Sequence, residues 1–463
     1  MNLKSSIAKV FSANFLQLVS SVIIGFIVPS ILSIQGYADL KTYTLYISYI
    51  GFFSLGFLDG LYIKYGGRKL EDINKSNLKG EHNFLVILQL VISIVLILIS
   101  FIKKDIILFL LGISILPIMI AAFHKNIFQA TGNFDKYSKI IYIYSFSYMI
   151  LNVILAIFFK NQNYIYYCLT TLGANLISII VIEFKFLYNF RVEKTTISRK
   201  DIINNIKVGF FILLGNLSVV ALFGIDKLFV KIFLTTEDFA YYSFAVSMLN
   251  IINVLVNAIS VTFYNYLFSN NNSENINKLK RYLIAVGGAA SLGFFALSFI
   301  VCKFITKYIP SLDIIAITFA VFPYMILINA LYVNLYKVDK NEKKYFKVVF
   351  GILIISIIYN IIAIIIFKNT ISVAFATILT LITWVIYSTR DLEKVVNEIN
   401  MYIYMFLLTI SFLICAHYFN WIYGGIIYFI IYLIATYFFN KEVLTDIKNT
   451  SLRYLKRIIY KKR

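Results

Sequence analysis

YSKIIYIYSFSYMILNVILAIFFKN, Tyr137 to Asn161, has a second copy further along the chain, YFKVVFGILIISIIYNIIAIIIFKN, Tyr345 to Asn369. Laid together without a gap, Tyr137 meets Tyr345, Lys139 meets Lys347 and Asn152 meets Asn360, and both copies close in Phe-Lys-Asn. Isoleucine matches at 150/358, 154/362 and 157/365 count for little in so Ile-rich a chain, whereas Asn and Lys are scarce inside apolar runs. Upstream, Pro117 followed by Gly132-Asn133-Phe134-Asp135 answers to Pro323 followed by Asp339-Lys340-Asn341, with a small slip. Further back, Asp39, Tyr43 and Ser48 answer to Asp238, Tyr242 and Ser247. The pattern is a unit of roughly two hundred residues present twice, followed by a shorter tail.

Composition says where such units live. Hydrophobic residues make up 60% of the chain and charged residues 14%, with a mean hydropathy of +0.83. An ordinary soluble domain is excluded, and apolar runs of about twenty residues, enough to cross a bilayer core, recur throughout. The net charge of +21 is spread over short loops between those runs, which points to membrane orientation and not to nucleic acid. Cys168, Cys302 and Cys415 are isolated in or beside apolar runs, with neither a disulfide framework nor metal-type spacing. The first apolar run lacks a small-residue cleavage site and reads as a span, not a removed signal.

Fourteen runs are expected to cross the membrane: Val10–Ile34, Leu40–Ile63, Phe84–Ile102, Ile106–Phe123, Ile140–Phe159, Tyr164–Leu187, Ile206–Leu234, Phe239–Phe268, Tyr282–Ile309, Ile314–Tyr336, Phe346–Phe367, Ile371–Ser388, Met401–Asn420 and Trp421–Phe439. The fourth is expected to continue as exposed helix through His124 to Ala130, and Asn440 to Arg463 forms a basic tail. The longest polar interval, Tyr188–Asn205, divides an N-lobe (1–205) from a C-lobe (206–400), and 401–463 holds the last two spans and the tail. The termini and the loops after even-numbered runs carry about 34 of the 43 Lys and Arg residues, which places both termini in the cytoplasm; the Lys/Ile/Asn bias points to an AT-rich gene and so to a bacterial membrane. Six spans per repeat is an even number, so both copies enter the membrane the same way up, as parallel repeats about an axis along the membrane normal. Two like bundles enclosing a cleft that opens alternately to either side is transporter geometry; a structural duplication without transport is the alternative.

Polar residues inside apolar runs mark candidate sites, because burying them in lipid is costly. Asn14, Gln17 and Ser21 share one face of the first span by their spacing. Asn216 answers to Asn14 in the seventh span, which also carries Asp226 and Lys227, roughly 9 Å outward of its midpoint if the helix is continuous. That acid–base pair is expected to face the cleft, to pair with a partner, or to snorkel to the interface. Asn250, Asn253 and Asn257 form a stripe on the eighth span, either lining a polar passage or bonding neighbouring helices. Asp59 closes the second span as a gating candidate or a solvated helix end, with Lys64 beyond it; Lys125 follows the fourth span. No Gly-x-x-x-x-Gly-Lys-Ser/Thr loop occurs. His82, His124 and His417 are far apart in sequence and assigned to different membrane faces, so neither a metal site nor a nucleophile–base pair is expected.

The layout resembles the polysaccharide-exporter branch of the multidrug/oligosaccharidyl-lipid/polysaccharide (MOP) flippase superfamily. The residues that carry the resemblance are the basic start leading into Asn14 and Gln17; Ser54-Leu55-Gly56-Phe57-Leu58-Asp59-Gly60-Leu61; Gln129-Ala130-Thr131-Gly132-Asn133-Phe134; and Asp226-Lys227 followed by Asp238-Phe239-Ala240-Tyr241-Tyr242. Ala240 stands where relatives usually have Gly, and the first span lacks the Arg with which several relatives hold lipid diphosphate. The resemblance implies an all-α protein of about fourteen spans, two parallel six-helix bundles related by a pseudo-two-fold plus two C-terminal helices. It also implies a flippase that moves an undecaprenyl-diphosphate-linked oligosaccharide to the outer leaflet. The partners it implies are membrane lipids, a polysaccharide polymerase and chain-length machinery; it implies no cofactor, with H+ or Na+ as the coupling ion. On this reading Asn14, Gln17, Asn216, Asn250, Asn253 and Asn257 bond the glycan, Lys64, Lys125 and Lys227 are candidates for the diphosphate, and Asp226 is a coupling or gating charge. The rivals are a multidrug/cation antiporter, which usually has twelve spans, and a membrane polysaccharide polymerase, which generally needs a sizeable outward loop or acidic pair.

Overall fold

A computed structural model describes residues 3–189, 195, 198–269, 272–339 and 341–446; of 3–8, 252–266, 268, 269, 337 and 342 it describes the backbone alone. Every regular element among the described residues is helical. In chain order they are α1 (Leu3–Ile31), α2 (Ile34–Ser48), α3 (Phe57–Tyr65), α4 (Lys75–Lys103), α5 (Ile106–Ala130), α6 (Phe134–Val153), α7 (Tyr164–Asn189) and α8 (Arg199–Leu222). There follow α9 (Ile225–Phe233), α10 (Thr236–Ser269), α11 (Ser273–Ala290), α12 (Gly293–Phe304), α13 (Leu312–Ala320), α14 (Phe322–Leu327) and α15 (Val333–Val338). The last four are α16 (Glu342–Phe367), α17 (Thr370–Asp391), α18 (Ile399–Tyr418) and α19 (Trp421–Phe439). Among the residues searched, eleven helices are long and apolar enough to cross a membrane, or up to thirteen if each of two bent pairs is one span. The 34-residue α10, whose middle side chains are not described, also exceeds the length of about twenty residues that a span needs.

The chain divides into two compact units, Met1–Gly224 and Ile225–Arg463. The division falls after α8; the polar interval Tyr188–Asn205 lies inside the first unit, between α7 and α8. In the first unit α1 packs on α6, α3 on α8, and α5 on α2, α4 and α7. In the second, α16 packs on α17, α18 on α19, α11 on α14, and α9 on α10, α16 and α17.

Helix α4 shows why these helices belong in lipid. Its buried positions include Glu81, His82, Gln89, Ser93 and Ser100, while Ile87, Val91, Ile94, Leu98 and Ile102 are exposed. A soluble helix turns its apolar stripe inward. Here the polar groups turn in towards neighbouring helices and the apolar face turns out. The protein is a multi-pass membrane protein.

Several expected spans are not continuous helices: the ninth is interrupted between Ala290 and Gly293 and the tenth bends by 40° at Val321, and the second and seventh are broken as well. The second, read as Leu40–Ile63, starts at Ile34 and bends by 62° between its halves. Leu55 (φ 53°) and Gly56 (φ 85°) both take left-handed backbone at the bend, which no helix can continue through. The carbonyl of Phe53 freed there accepts the Gln89 side-chain amide at 2.9 Å. The seventh, read as unbroken from 206 to 234, stops at Leu222 and resumes at Ile225. Hydropathy is blind to such breaks because the residues on either side stay apolar. The helical extension beyond Phe123 is present in α5, but His124 and Ile127 are buried, not exposed.

The internal repeat has a structural counterpart. Asn152 and Asn360 are both buried, and each donates its side-chain amide to the carbonyl four residues earlier, Tyr148 and Ser356, at 2.8 Å. Asn152 donates also to Thr170 Oγ1 of the next helix at 2.9 Å. Asn152→Ala is therefore expected to lower thermal stability in detergent by about 1 kcal/mol, the size of one interhelical bond in a membrane. Asn360→Ala, whose bonds stay within α16, should cost less; equal losses would show that the interhelical bond contributes nothing.

Candidate functional site

The polar face of the first span is open. Asn14, Gln17 and Ser21 are exposed while Ala13 and Ser20 are buried against α6, and Ser20 donates to the Ser145 carbonyl. At one end Lys9 pairs with Asp135 of α6 at 2.8 Å. The stripe is thus turned away from the helix on which α1 rests.

Asp59 and Asn216, singled out separately, are partners. Asn216 Nδ2 donates to Asp59 Oδ1 at 3.1 Å, across α3 and α8. Those helices touch at backbone distance: a Cβ at Gly60 would lie 2.0 Å from the Asn205 carbonyl oxygen, and one at Gly209 would lie 1.9 Å from that of Gly56. Gly56 and Gly60 on one side and Asn205 and Gly209 on the other make a small-residue crossing of the kind that lets membrane helices approach closely.

The three lysines named for a diphosphate are placed apart. Lys64 Nζ lies 2.6 Å from Glu81 Oε1, and Glu81, with no solvent exposure, also accepts from Tyr65 at 2.6 Å and from Asn205 at 3.4 Å. Lys125 is half-buried on α5 with no hydrogen bond or ion pair among the described residues. Lys227 is half-buried at the start of α9.

Beside it, Asp226 is buried and paired. Its Oδ1 accepts the Lys227 backbone N–H at 2.7 Å, and its Oδ2 accepts Tyr242 Oη at 2.8 Å and Thr377 Oγ1 at 3.4 Å. The acid is held by α10 and α17 of its own unit, which excludes snorkelling to an interface. Asn250 is exposed on α10; Asn253 and Asn257 lie outside the residues whose side chains are described.

A cavity of about 500 Å³ opens within the first unit among α4, α5, α6 and α7. Its walls are apolar, with Leu78, Phe123, Ile127 and Phe186, and it is lined as well by Lys75, Lys136, Lys139, Lys185 and Glu71. Lys136 Nζ sits 5.4 Å from the Phe128 ring centroid. An apolar hollow with several ammonium groups suits an anionic amphiphile. Sequence reasoning missed it because these lysines belong to three different loops and helix ends.

His82 and His124, separated by spacing arguments, lie side by side with ring centroids 5.9 Å apart and share Glu183. His417 stands elsewhere, 3.6 Å from Asp313 in the second unit. The hidden third member was an acid inside an apolar run that had been read only as a span.

A sequence profile described as polysaccharide biosynthesis protein matches residues 4–271. Among curated protein sequences none matches at a significant level. Among solved structures the chain is similar to "Lipid II flippase MurJ, inward closed conformation", with a TM-score of 0.66 at 16% identity, covering 95% of this chain and 99% of that one. It is also similar to an inward-facing multidrug resistance MATE family transporter of the MOP superfamily, with a TM-score of 0.56 at 13% identity over 81% and 94% of the two chains. At such identities the likenesses speak for the fold, and neither structure is that of an enzyme. The all-helical fold is the one shared with these two solved structures and, with the profile spanning more than half of the sequence, the chain belongs to the polysaccharide biosynthesis protein family.

Proposed function

We propose that the protein is a flippase that carries a polyprenyl-diphosphate-linked oligosaccharide repeat unit across the bacterial cytoplasmic membrane, by alternating access, for a surface polysaccharide such as O-antigen or capsule. The observation that carries this reading is a conjunction: membership of a polysaccharide biosynthesis family in a chain similar over 95% of its length to a lipid II flippase. The residues supply what such a cargo needs. Asn14, Gln17 and Asn216 are exposed and offer amides to sugar hydroxyls. The cavity of the first unit offers lysines to a diphosphate and apolar wall to the first prenyl groups. Its lining comes from segments that the Lys/Arg bias assigns to the cytoplasmic side, where the cargo is assembled.

Replacing Lys136, Lys139 and Lys185 together with Ala is expected to cut export of lipid-linked glycan at least about tenfold, each lost charge contact contributing roughly 1 kcal/mol near a membrane surface, with unchanged amounts of protein in the membrane. Asp226→Ala is expected to abolish export while leaving the protein in the membrane, and Asp226→Asn to lose export likewise. Mass spectrometry of lipid-linked glycans in a deletion strain complemented with each variant measures both. Inward-facing repeat units accumulating in the deletion strain support a flippase. Outward-facing unpolymerised units would identify a polymerase instead. Drug sensitivity alone would favour the antiporter reading, to which the MATE likeness and the buried Asp226 lend their weight.

A further inference from the structure

His82 on α4 and His124 on α5 are 3% and 2% exposed, and each meets a different oxygen of the same carboxylate on α7. His82 Nε2 lies 2.9 Å from Glu183 Oε1, and His124 Nε2 lies 2.7 Å from Oε2. All three groups offer ligand atoms within 4.8 Å of one another. On its other side His82 Nδ1 lies 3.4 Å from Asn83 Oδ1. His82 Nε2 is buried and within ion-pair distance of Glu183, yet is not aligned for a hydrogen bond with it. A buried carboxylate between two imidazoles is balanced by a positive charge, which a proton or a metal ion can supply.

We propose that His82, His124 and Glu183 bind a divalent transition-metal ion of the zinc class. Two imidazole nitrogens and one carboxylate are a donor set that zinc takes, leaving a fourth position open. An outer ring N–H held by an amide oxygen is the support such a histidine ligand uses. A tetrahedral ion about 2.0–2.1 Å from each ligand sets neighbouring ligand atoms about 3.3 Å apart, so the His–Glu183 contacts of 2.9 and 2.7 Å must widen slightly to receive it. His124 also forms part of the wall of the lysine-lined cavity, where water or an anionic oxygen completes the coordination sphere. The ion ties α4, α5 and α7 together at one end of the first unit. This inference does not depend on the cargo.

The test uses the full chain purified in detergent, stripped with a chelator, then titrated with zinc chloride or cobalt(II) chloride. One zinc per chain is expected by elemental analysis, with a rise in melting temperature and the intense visible bands of tetrahedral cobalt(II). Losing an outer-shell partner typically weakens a site by roughly 10–100-fold; Glu183→Gln and His124→Ala, which remove ligands, should weaken zinc by more and erase the cobalt bands. His417 beside Asp313 is the competing exposed pair, so His417→Ala must keep full stoichiometry. Wild-type protein that takes up no zinc, or Glu183 and His124 variants that bind like wild type, overturn the proposal. Should those variants fail to fold, the wild-type cobalt spectrum decides alone: weak octahedral bands, or none, count against it.

Discussion

Gly60→Ala and Gly209→Ala are each expected to abolish accumulation of folded protein. A methyl at Gly60 would sit 2.0 Å from the Asn205 carbonyl oxygen, and one at Gly209 would sit 1.9 Å from the Gly56 oxygen and 2.3 Å from the Gly60 nitrogen. Real carbon atoms do not approach so closely, and the obstacle in both cases is backbone, which cannot rotate aside. Overpacking that only displaces side chains already costs about 1–3 kcal/mol. Here α3 and α8 must separate, so the loss should reach or exceed the top of that range, out of a typical total of about 5–15 kcal/mol. Separation also pulls Asn216 from Asp59, and Asn205 from Glu81. Gly51→Ala and Gly351→Ala are the controls, since a Cβ at either position meets nothing within 4 Å. Size-exclusion profiles of fluorescently tagged variants decide the matter: monodisperse Gly60→Ala protein at wild-type yield would mean that the crossing is looser than described.

Lys64→Ala is expected to destabilise the first unit by about 3–5 kcal/mol, the cost of stranding a buried charge. Glu81 has no solvent exposure, and the Lys64 ammonium at 2.6 Å is the cation that balances it. Tyr65 and Asn205 can hydrogen-bond the carboxylate but cannot neutralise it. Glu81→Gln removes the charge and keeps the shape; Lys64, 27% exposed, can then turn to water. That variant should therefore lose less than Lys64→Ala, and the double variant Lys64→Ala/Glu81→Gln should recover much of the loss. Thermal melting in detergent reads all three. A double variant no better than Lys64→Ala would show that Lys64 acts through its aliphatic stem and not its charge.

Much of the architecture was legible in the residues. Asn152 and Asn360, matched by the repeat, are both buried and both bond the carbonyl four residues earlier in their own helices. The final turn between spans, poorly marked by hydropathy, is set by Asn420, which caps α19 by accepting the N–H groups of Ile422 and Tyr423. Less legible were the partners of polar groups. Asp59 and Asn216 were chosen for separate reasons and turned out to share a bond. Glu81 and Glu183 drew no attention because one sat near a loop and the other inside an apolar run. Each nonetheless gathers several polar groups from helices distant in sequence.

Transfer from water to lipid is close to a sum over neighbouring residues, so the chain by itself determined that it spans the membrane many times and that it is built of like halves. Where the spans break, and which charges neutralise one another, depends on distances that close only when helices meet. Leu55 and Gly56 take left-handed backbone where Gly56 lies against α8, and two histidines 42 positions apart (82 to 124) converge on one carboxylate because α4, α5 and α7 share an end. Tertiary structure alone decided those, since an electrostatic or hydrogen-bonded pair is a property of space and not of spacing.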